Sequence, residues 1–408
     1  MRFLYLDSGL VNELGHHANF CRAITQEFRN KGIPTIVFAH EKVTQRLHDN
    51  LKARPHFRVY SYDINDNDRV IAWLNSFETG SRTTLEDLQR IHGLEPTDIV
   101  YMNWAWPTPL MALIQWANGI PPSRLPTIIA EVGADPGLEP MDLELRPIRL
   151  MPRDPRADSR AILYRYAARQ ISPGSARRLH LVTFDRVTSS AFQALLDFPV
   201  TTLPMPYAAS TSRRSRAGAN PITISVLGHQ RPEKGFELMP EIATTLLREH
   251  AQIRILAHNA KPTQMSAAQK AMRQLAASNG RLMLEEAVAG PALWASLLER
   301  SDLVVCPYHP AVYAFSHSSV ACESLANAIP LVVPARTALA SQLEDFGSAG
   351  ATFEAFTAQS VTAAITRVLN DFDRYAEVAY EAAAQWAKTM GPERVLEGLL
   401  ALAGAGPP

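Results

Sequence analysis

Residues 302–334 read DLVVCPYHPAVYAFSHSSVACESLANAIPLVVP, and the alternation within this stretch decides the fold class. Leu303-Val304-Val305-Cys306 is an apolar run of the length of one buried strand. Pro307 and Pro310 end it. Ser316-His317-Ser318-Ser319 is a polar turn, and Val320 to Ala326 reads as a helix with Glu323 near its start. Asn327-Ala328-Ile329-Pro330 stops that helix, and Leu331-Val332-Val333 is the next strand. Strand, turn, helix and strand make a βαβ unit, which sets the helix N-terminus at the carboxyl edge of a parallel sheet. Backbone N–H groups and the positive helix end favour an anion there. A glutamate so close to an anion site has another use, and holding ribose hydroxyls is one that fits.

The same alternation extends in both directions. Toward the N-terminus, Phe3 to Leu6 is a strand, Gly15-His16-His17 a turn, Phe20 to Arg29 an amphipathic helix and Thr35 to Ala39 a second strand. This opening is Rossmann-like but lacks G-x-G-x-x-G, which argues against a dinucleotide in this half. Strands follow at 98–102, 126–130 and 179–183, with helices at 109–117 and 187–196, and residues 201–206 close the series. Residues 208–221, AASTSRRSRAGANP, have linker composition. A second series then begins with the strand Ile222 to Leu227, the loop Gly228 to Gly235 and a helix from Phe236. The expected fold is α/β: two Rossmann-like doubly wound domains, residues 1–206 and 207–380, facing a cleft.

Composition bounds the function. The chain has 408 residues, 47% hydrophobic and 20% charged, with a formal net charge of zero. That describes a globular protein and removes any whole-molecule attraction to nucleic acid. Cys21, Cys306 and Cys322 show no metal-ligand spacing and sit among apolar residues, as small buried thiols do. No signal-peptide core opens MRFLYLDSGLVNELG, so the expected location is cytoplasmic. The Asp66-Asn67-Asp68 triplet reads as a turn, and the run Asp63 to Asp68 lacks the features of a calcium loop.

The chemistry gathers in the second half. Gly228 opens the loop after its first strand, and Arg231 and Lys234 lie on that loop at the carboxyl edge of the sheet. Ser318, Ser319 and Glu323 follow a later strand at the same edge. Two cations beside a helix N-terminus suit a diphosphate, and a carboxylate nearby suits a ribose diol. Together they describe a nucleotide-sugar site.

The segments LGHQRPEKGFELMPEIA (227–243) and SDLVVCPYHPAVYAFSHSSVACESLANAIPLVVPA (301–335) resemble the donor domain of family-four retaining glycosyltransferases with the GT-B fold. The resemblance implies that Arg231 and Lys234 contact the donor diphosphate and that Glu323 holds the ribose. The family's other glutamate, which faces the donor sugar, falls on Phe315, a departure from the pattern. It further implies hexosyl or related transfer to an acceptor hydroxyl with retention, no metal or cofactor, and a leaving phosphate that itself helps deprotonate the acceptor. The last helix, within 381–408, would return toward the first domain. The acceptor would be a sugar, lipid-linked or small molecule, as in polysaccharide or glycoconjugate synthesis.

Acceptor contacts are expected from Gly15, His16, His17 and Glu131 in the first half, where related chains also carry a His at the place of Asn103. Trp104, Trp106 and Trp116 offer a sugar platform, although packing in the core is the plainer use of a tryptophan. The arginines of 146–178, among them Arg146, Arg149, Arg153, Arg156, Arg160, Arg177 and Arg178, read as a solvated face, with a membrane surface or lipid diphosphate as the sharper alternative. Two rival functions share these features: a nucleotide-sugar epimerase and a non-catalytic binder, the second favoured by Phe315.

Overall fold

A computed structural model describes residues 1–13, 15–62, 69–133, 135–140, 150–210, 221–260 and 266–404. Asp66-Asn67-Asp68, Arg146, Arg149 and most of the expected linker lie outside them. The chain divides into two compact units, one of Met1–Pro206 with Pro392–Pro408 and one of Tyr207–Gly391.

In the first unit the elements run β1 Phe3–Asp7, α1 His16–Asn30, β2 Thr35–His40, α2 Gln45–Leu51, β3 Ala53–Phe57, α3 Arg69–Gln89, β4 Ile99–Met102, α4 Pro107–Gly119 and β5 Thr127–Glu131. A short antiparallel hairpin follows, β6 Leu138–Pro140 with β7 Leu150–Pro152. Then come α5 Arg160–Ala168, β8 Leu179–Thr183, α6 Arg186–Leu196 and β9 Val200–Thr202. The main sheet has the order β3-β2-β1-β4-β5-β8-β9, and all its strands are parallel. β1, β4 and β5 are buried at every position, as strands covered by helices on both faces must be. That is why they read as unbroken apolar runs in the sequence.

The second unit runs β10 Ile222–Val226, two 3₁₀ turns at Pro232–Lys234 and Phe236–Leu238, α7 Met239–Glu249, β11 Ile253–His258, α8 Ala267–Ser278 and β12 Leu282–Glu285. It continues with α9 Pro291–Glu299, β13 Leu303–Val305, α10 Ser319–Ala326, β14 Leu331–Pro334, α11 Ala338–Asp345, β15 Gly350–Phe353, α12 Ala358–Asn370 and α13 Phe372–Thr389. Its parallel sheet has the order β12-β11-β10-β13-β14-β15. The last helix, α14 Pro392–Leu402, belongs to the first unit and packs on α1 through its buried face of Val395, Leu396, Leu399 and Leu400.

Two Rossmann-like units therefore carry the chain, each with its own core. In the second unit, Phe236, Met239, Ile242 and Leu246 pack on Ile224 and Val226, with Val361, Ile365 and Val368 of α12 in the same cluster. Each such side chain contributes roughly 1.5–3 kcal/mol on burial. The strand order reverses between β1 and β4 in one sheet and between β10 and β13 in the other. Loops leaving such a pair of strands diverge and leave a crevice at the carboxyl edge, where ligands of this architecture bind.

The helix expected to start at Phe236 opens instead as a 3₁₀ turn, and α7 begins three residues later with Pro240 in its first turn. Proline has no N–H to donate, so it suits the first helical turn rather than the interior.

Candidate functional site

In the second unit the loop after β10 and the start of α10 converge at Gly228. Its φ is +100°, in the region only glycine occupies cheaply. A Cβ there would lie 3.6 Å from Val320 Cγ2 on α10 and 3.9 Å from Lys234 Nζ, so bare backbone, α10 and the lysine meet at one point. Gly235 fixes the other end of the loop. It has φ +70°, and a Cβ would fall 1.8 Å from the carbonyl oxygen of Pro307, two residues past the end of β13. Loop and strand end are clamped together, and His309 N–H donates to the Glu233 carbonyl at 2.9 Å across the same seam.

Lys234 lies half-buried with Nζ 5.2 Å above the Tyr308 ring. Burial pushes its pKa down to about 8, and neighbouring Arg231 pushes the same way. An ammonium whose water is largely displaced, beside a second cation, favours an anion. Arg231 is exposed and pairs with Glu233 at 3.0 Å. Ser318 caps α10 by position, its hydroxyl 3.4 Å from Tyr308 Oη, and Ser319 is the first helical residue.

Glu323 is the fifth residue of α10, one residue deeper than the sequence reading placed it, because the helix starts at Ser319. Its Oε2 accepts a 2.6 Å hydrogen bond from Trp294 Nε1 on α9. Burial raises its pKa to about 7, opposed in part by the Trp294 bond. Trp294 in turn lies 6.2 Å, ring to ring, from His258 at the end of β11. His258 accepts from Gly228 N–H at Nδ1 (3.2 Å) and donates from Nε2 to the Ala287 carbonyl (2.9 Å), and burial lowers its pKa. Gln230 Nε2 donates to the His258 carbonyl. The carboxylate is thus tied back to Gly228 through Trp294 and His258, two residues that no spacing rule points to. Phe315 is buried beside Ala314 in the loop between β13 and α10.

In the first unit Gly15 is exposed at φ +79° and immediately precedes α1. His16 is half-buried and His17 buried. His17 Nδ1 lies 2.8 and 2.9 Å from the two oxygens of Asp7, the last residue of β1. Asp7 also accepts from Gly9 N–H at 2.8 Å and from Asn103 Nδ2 at 2.9 Å. Glu131, at the end of β5, is fully buried. Its oxygens accept from the backbone N–H groups of Trp104 and Gly133, both at 2.9 Å. This carboxylate serves its own backbone, holding Trp104 at a φ of +56°, a costly conformation for a side chain of that size.

Trp116 is core, as its helical position implies, whereas Trp104 and Trp106 are half-buried. Four arginines of the 146–178 segment have partners within the first unit. Arg153 and Arg160 pair with Asp135 and Asp158, Arg156 with Asp154, and Arg178 donates to the carbonyls of Leu125 and Pro96. No helix among the described residues is long and apolar enough to cross a membrane.

No protein-family model matches the chain, and no relative is found among curated proteins. Solved structures do match, over nearly the whole length. Sucrose-phosphate synthase from Thermosynechococcus elongatus superposes with a TM-score of 0.66 at 13% identity, covering 99% of this chain and 98% of that one. Anabaena Alr3699/HepE in complex with UDP gives 0.65 at 12% identity, covering 99% and 100%. The trehalose-6-phosphate synthase OtsA gives 0.62 at 12%, covering 99% of each. Together with two parallel sheets of the order described above, these likenesses establish that the chain has the GT-B fold of glycosyltransferases.

Proposed function

We propose that this protein is a retaining glycosyltransferase that moves a sugar from a nucleoside-diphosphate sugar to an acceptor hydroxyl. The observation that carries the reading is the meeting of Gly228, Lys234 and the first turn of α10 at the switch point of the second sheet, with Glu323 one turn further on. In this reading the second unit is the donor domain and the first the acceptor domain. Lys234 and Arg231 bind the diphosphate and stabilise the charge that grows on it as the glycosidic bond breaks. Gly228 admits the phosphates to its backbone, Ser318 and Ser319 present the start of α10 to them, and Glu323 accepts the ribose hydroxyls. A carboxylate can receive these beside Trp294, since its two oxygens offer about four acceptor sites. The likeness to HepE, solved with UDP, supports a uracil nucleotide as the first to try.

The test is a thermal-shift screen with UDP, GDP and ADP, followed by donor turnover with the nucleotide that binds. Stabilisation by one of the three and release of that nucleotide from its sugar conjugate are expected. No shift with any of them would refute the donor site. A second reading, a non-catalytic binder, is favoured by one observation: Phe315, buried where the resembling family has its sugar-facing glutamate. Binding without turnover would decide for it.

A further inference from the structure

The second unit carries a contact that diphosphate binding does not explain. Trp294, in the first turn of α9, donates from Nε1 to Glu323 Oε2 on α10 at 2.6 Å. Both side chains are half-buried. Glu323 has no ion-pair partner among the described residues, so its carboxylate meets a neutral donor where an enclosed carboxylate ordinarily finds a cation. An indole N–H donates once and accepts nothing. Trp294 therefore fills one acceptor position on Oε2, and Oε1 accepts no hydrogen bond from a described residue.

The indole is itself held in place. Leu297 and Leu298, one turn further along α9, are buried and fix which face of the helix turns inward. The His258 ring lies 6.2 Å from the Trp294 ring. It is pinned at both nitrogens, Nδ1 by the Gly228 N–H and Nε2 by the Ala287 carbonyl. Glycine backbone, imidazole, indole and carboxylate thus form one support from the loop after β10 to α10. No opposite charge enters it among the described residues. Burial, with the Glu323 charge nearby, pushes the Tyr207 phenol up, and burial pushes His258 down, so both stay neutral near pH 7. Glu285 acts on His258 and not on the carboxylate. Of the elements packed on α10, β14 has no charged residue and the buried face of α13 has none.

We propose that Trp294 is a positioning residue of the donor site: by holding Oε2 it fixes the plane of the Glu323 carboxylate and reserves Oε1 for the ribose hydroxyls. The inference rests on the transferase reading above, and the resemblance gives Trp294 no part. The last torsion of a glutamate is broad, so a carboxylate without the indole must give up rotational freedom when the nucleotide binds. A lysine or arginine in the same place would also fix the group, but its charge would compete with the ribose for both oxygens. A neutral donor fixes the carboxylate and leaves its accepting power to the ligand. Donation to the charged form also offsets part of the cost of burial, so the proton leaves at lower pH than burial alone would set. Trp294 acts through Glu323.

The test uses the full chain and the variants Trp294→Phe, Glu323→Gln and the double. Phenylalanine keeps an aromatic ring and removes the N–H donor. In the ligand-free protein the Trp294 Nε1–H resonance, assigned by its loss in Trp294→Phe, should titrate with a midpoint at about 7 and stay still in Glu323→Gln. Calorimetric titrations follow with UDP, ADP and GDP, and with the 2′-deoxy form of whichever binds. Wild type should prefer the ribonucleotide by about tenfold or more, the scale of a hydrogen bond to a charged group, and Trp294→Phe should cut that preference below about threefold. Donor KM should rise by about the same tenfold with kcat nearly unchanged, the mark of a binding contact. The acidic limb of donor kcat/KM should move to higher pH in Trp294→Phe, because the charged form has lost a donor. The double variant should bind no worse than Glu323→Gln, since the indole acts through the carboxylate. A contact that only packs α9 on α10 would lower Tm and leave the ribose preference and the acidic limb as they are, and that result would overturn the proposal. So would an indole resonance indifferent to Glu323→Gln. If the wild type binds none of the three nucleotides, the donor reading fails and this inference with it. Equal ribose preference in wild type and Trp294→Phe strikes this inference alone.

Discussion

At the scale of single residues, Lys234 and Glu323 are placed by opposite electrostatic arguments. Burial pushes the lysine down to about 8 and the glutamic acid up to about 7. A diphosphate needs the ammonium and a ribose diol needs the carboxylate, so kcat/KM for the donor should be bell-shaped, with limbs near those two values. Glu323→Gln should abolish the acidic limb and leave the basic one. The same group sets a stability trend. Its folded pKa lies above its unfolded value of 4.5, so its contribution is full below about 4.5 and lost as pH rises through about 7. The Tm advantage of wild type over Glu323→Gln should shrink across that window in calorimetric scans. Lys234→Ala and Arg231→Ala test chemistry rather than binding. Each should cost roughly 10²–10³ in kcat, the loss typical of one donor to a developing oxyanion, and excess donor should not restore it. A raised donor KM with unchanged kcat would reduce that residue to a binding contact.

At the scale of elements, the site depends on backbone that no side chain can replace. Gly235 locks the loop after β10 to the end of β13, and an added Cβ would collide with the Pro307 carbonyl. Gly235→Ala should therefore force the two apart. A destabilisation of about 2 kcal/mol or more is expected, read as a drop of roughly 5 °C in Tm. Donor binding should fall with it, because Lys234 is the preceding residue. An unchanged Tm would mean the loop shifts without consequence. The longest of the elements that the sequence reading lacked, which include α2, β3, α5, α11 and β15, is α3. Its stretch NSFETGSRTTLEDLQ is polar and carries no clear apolar stripe, and its packing against α4 supplies what the pattern does not.

At the scale of the molecule, Lys234, Arg231 and the start of α10 would supply the positive charge for the diphosphate in the proposed site. Donor turnover should accordingly survive EDTA, measured as nucleotide release before and after chelation. Complete loss restored by manganese or magnesium would sink this account of the charge. The two sheets, their parallel sense and the β–loop–α order were legible along the chain, because strands covered on both faces must be apolar throughout and loops between them must be polar. The positions of Arg231, Lys234, Ser318 and Glu323 after strand ends were legible as well, while the roles given to them belong to the proposal. Local spacing could not pair Glu323 with Trp294, a residue of another helix, nor His17 with Asp7 and Asn103. Those groups come from strands and loops up to 96 positions apart, and they meet only when a parallel sheet sets its carboxyl ends side by side. The sequence by itself determined which segments become strands and where their loops emerge, because periodicity and burial act locally. Which loops face each other, and hence which carboxylate is held by an indole and which histidine by an aspartate, was decided by strand order, a property of the folded sheet alone.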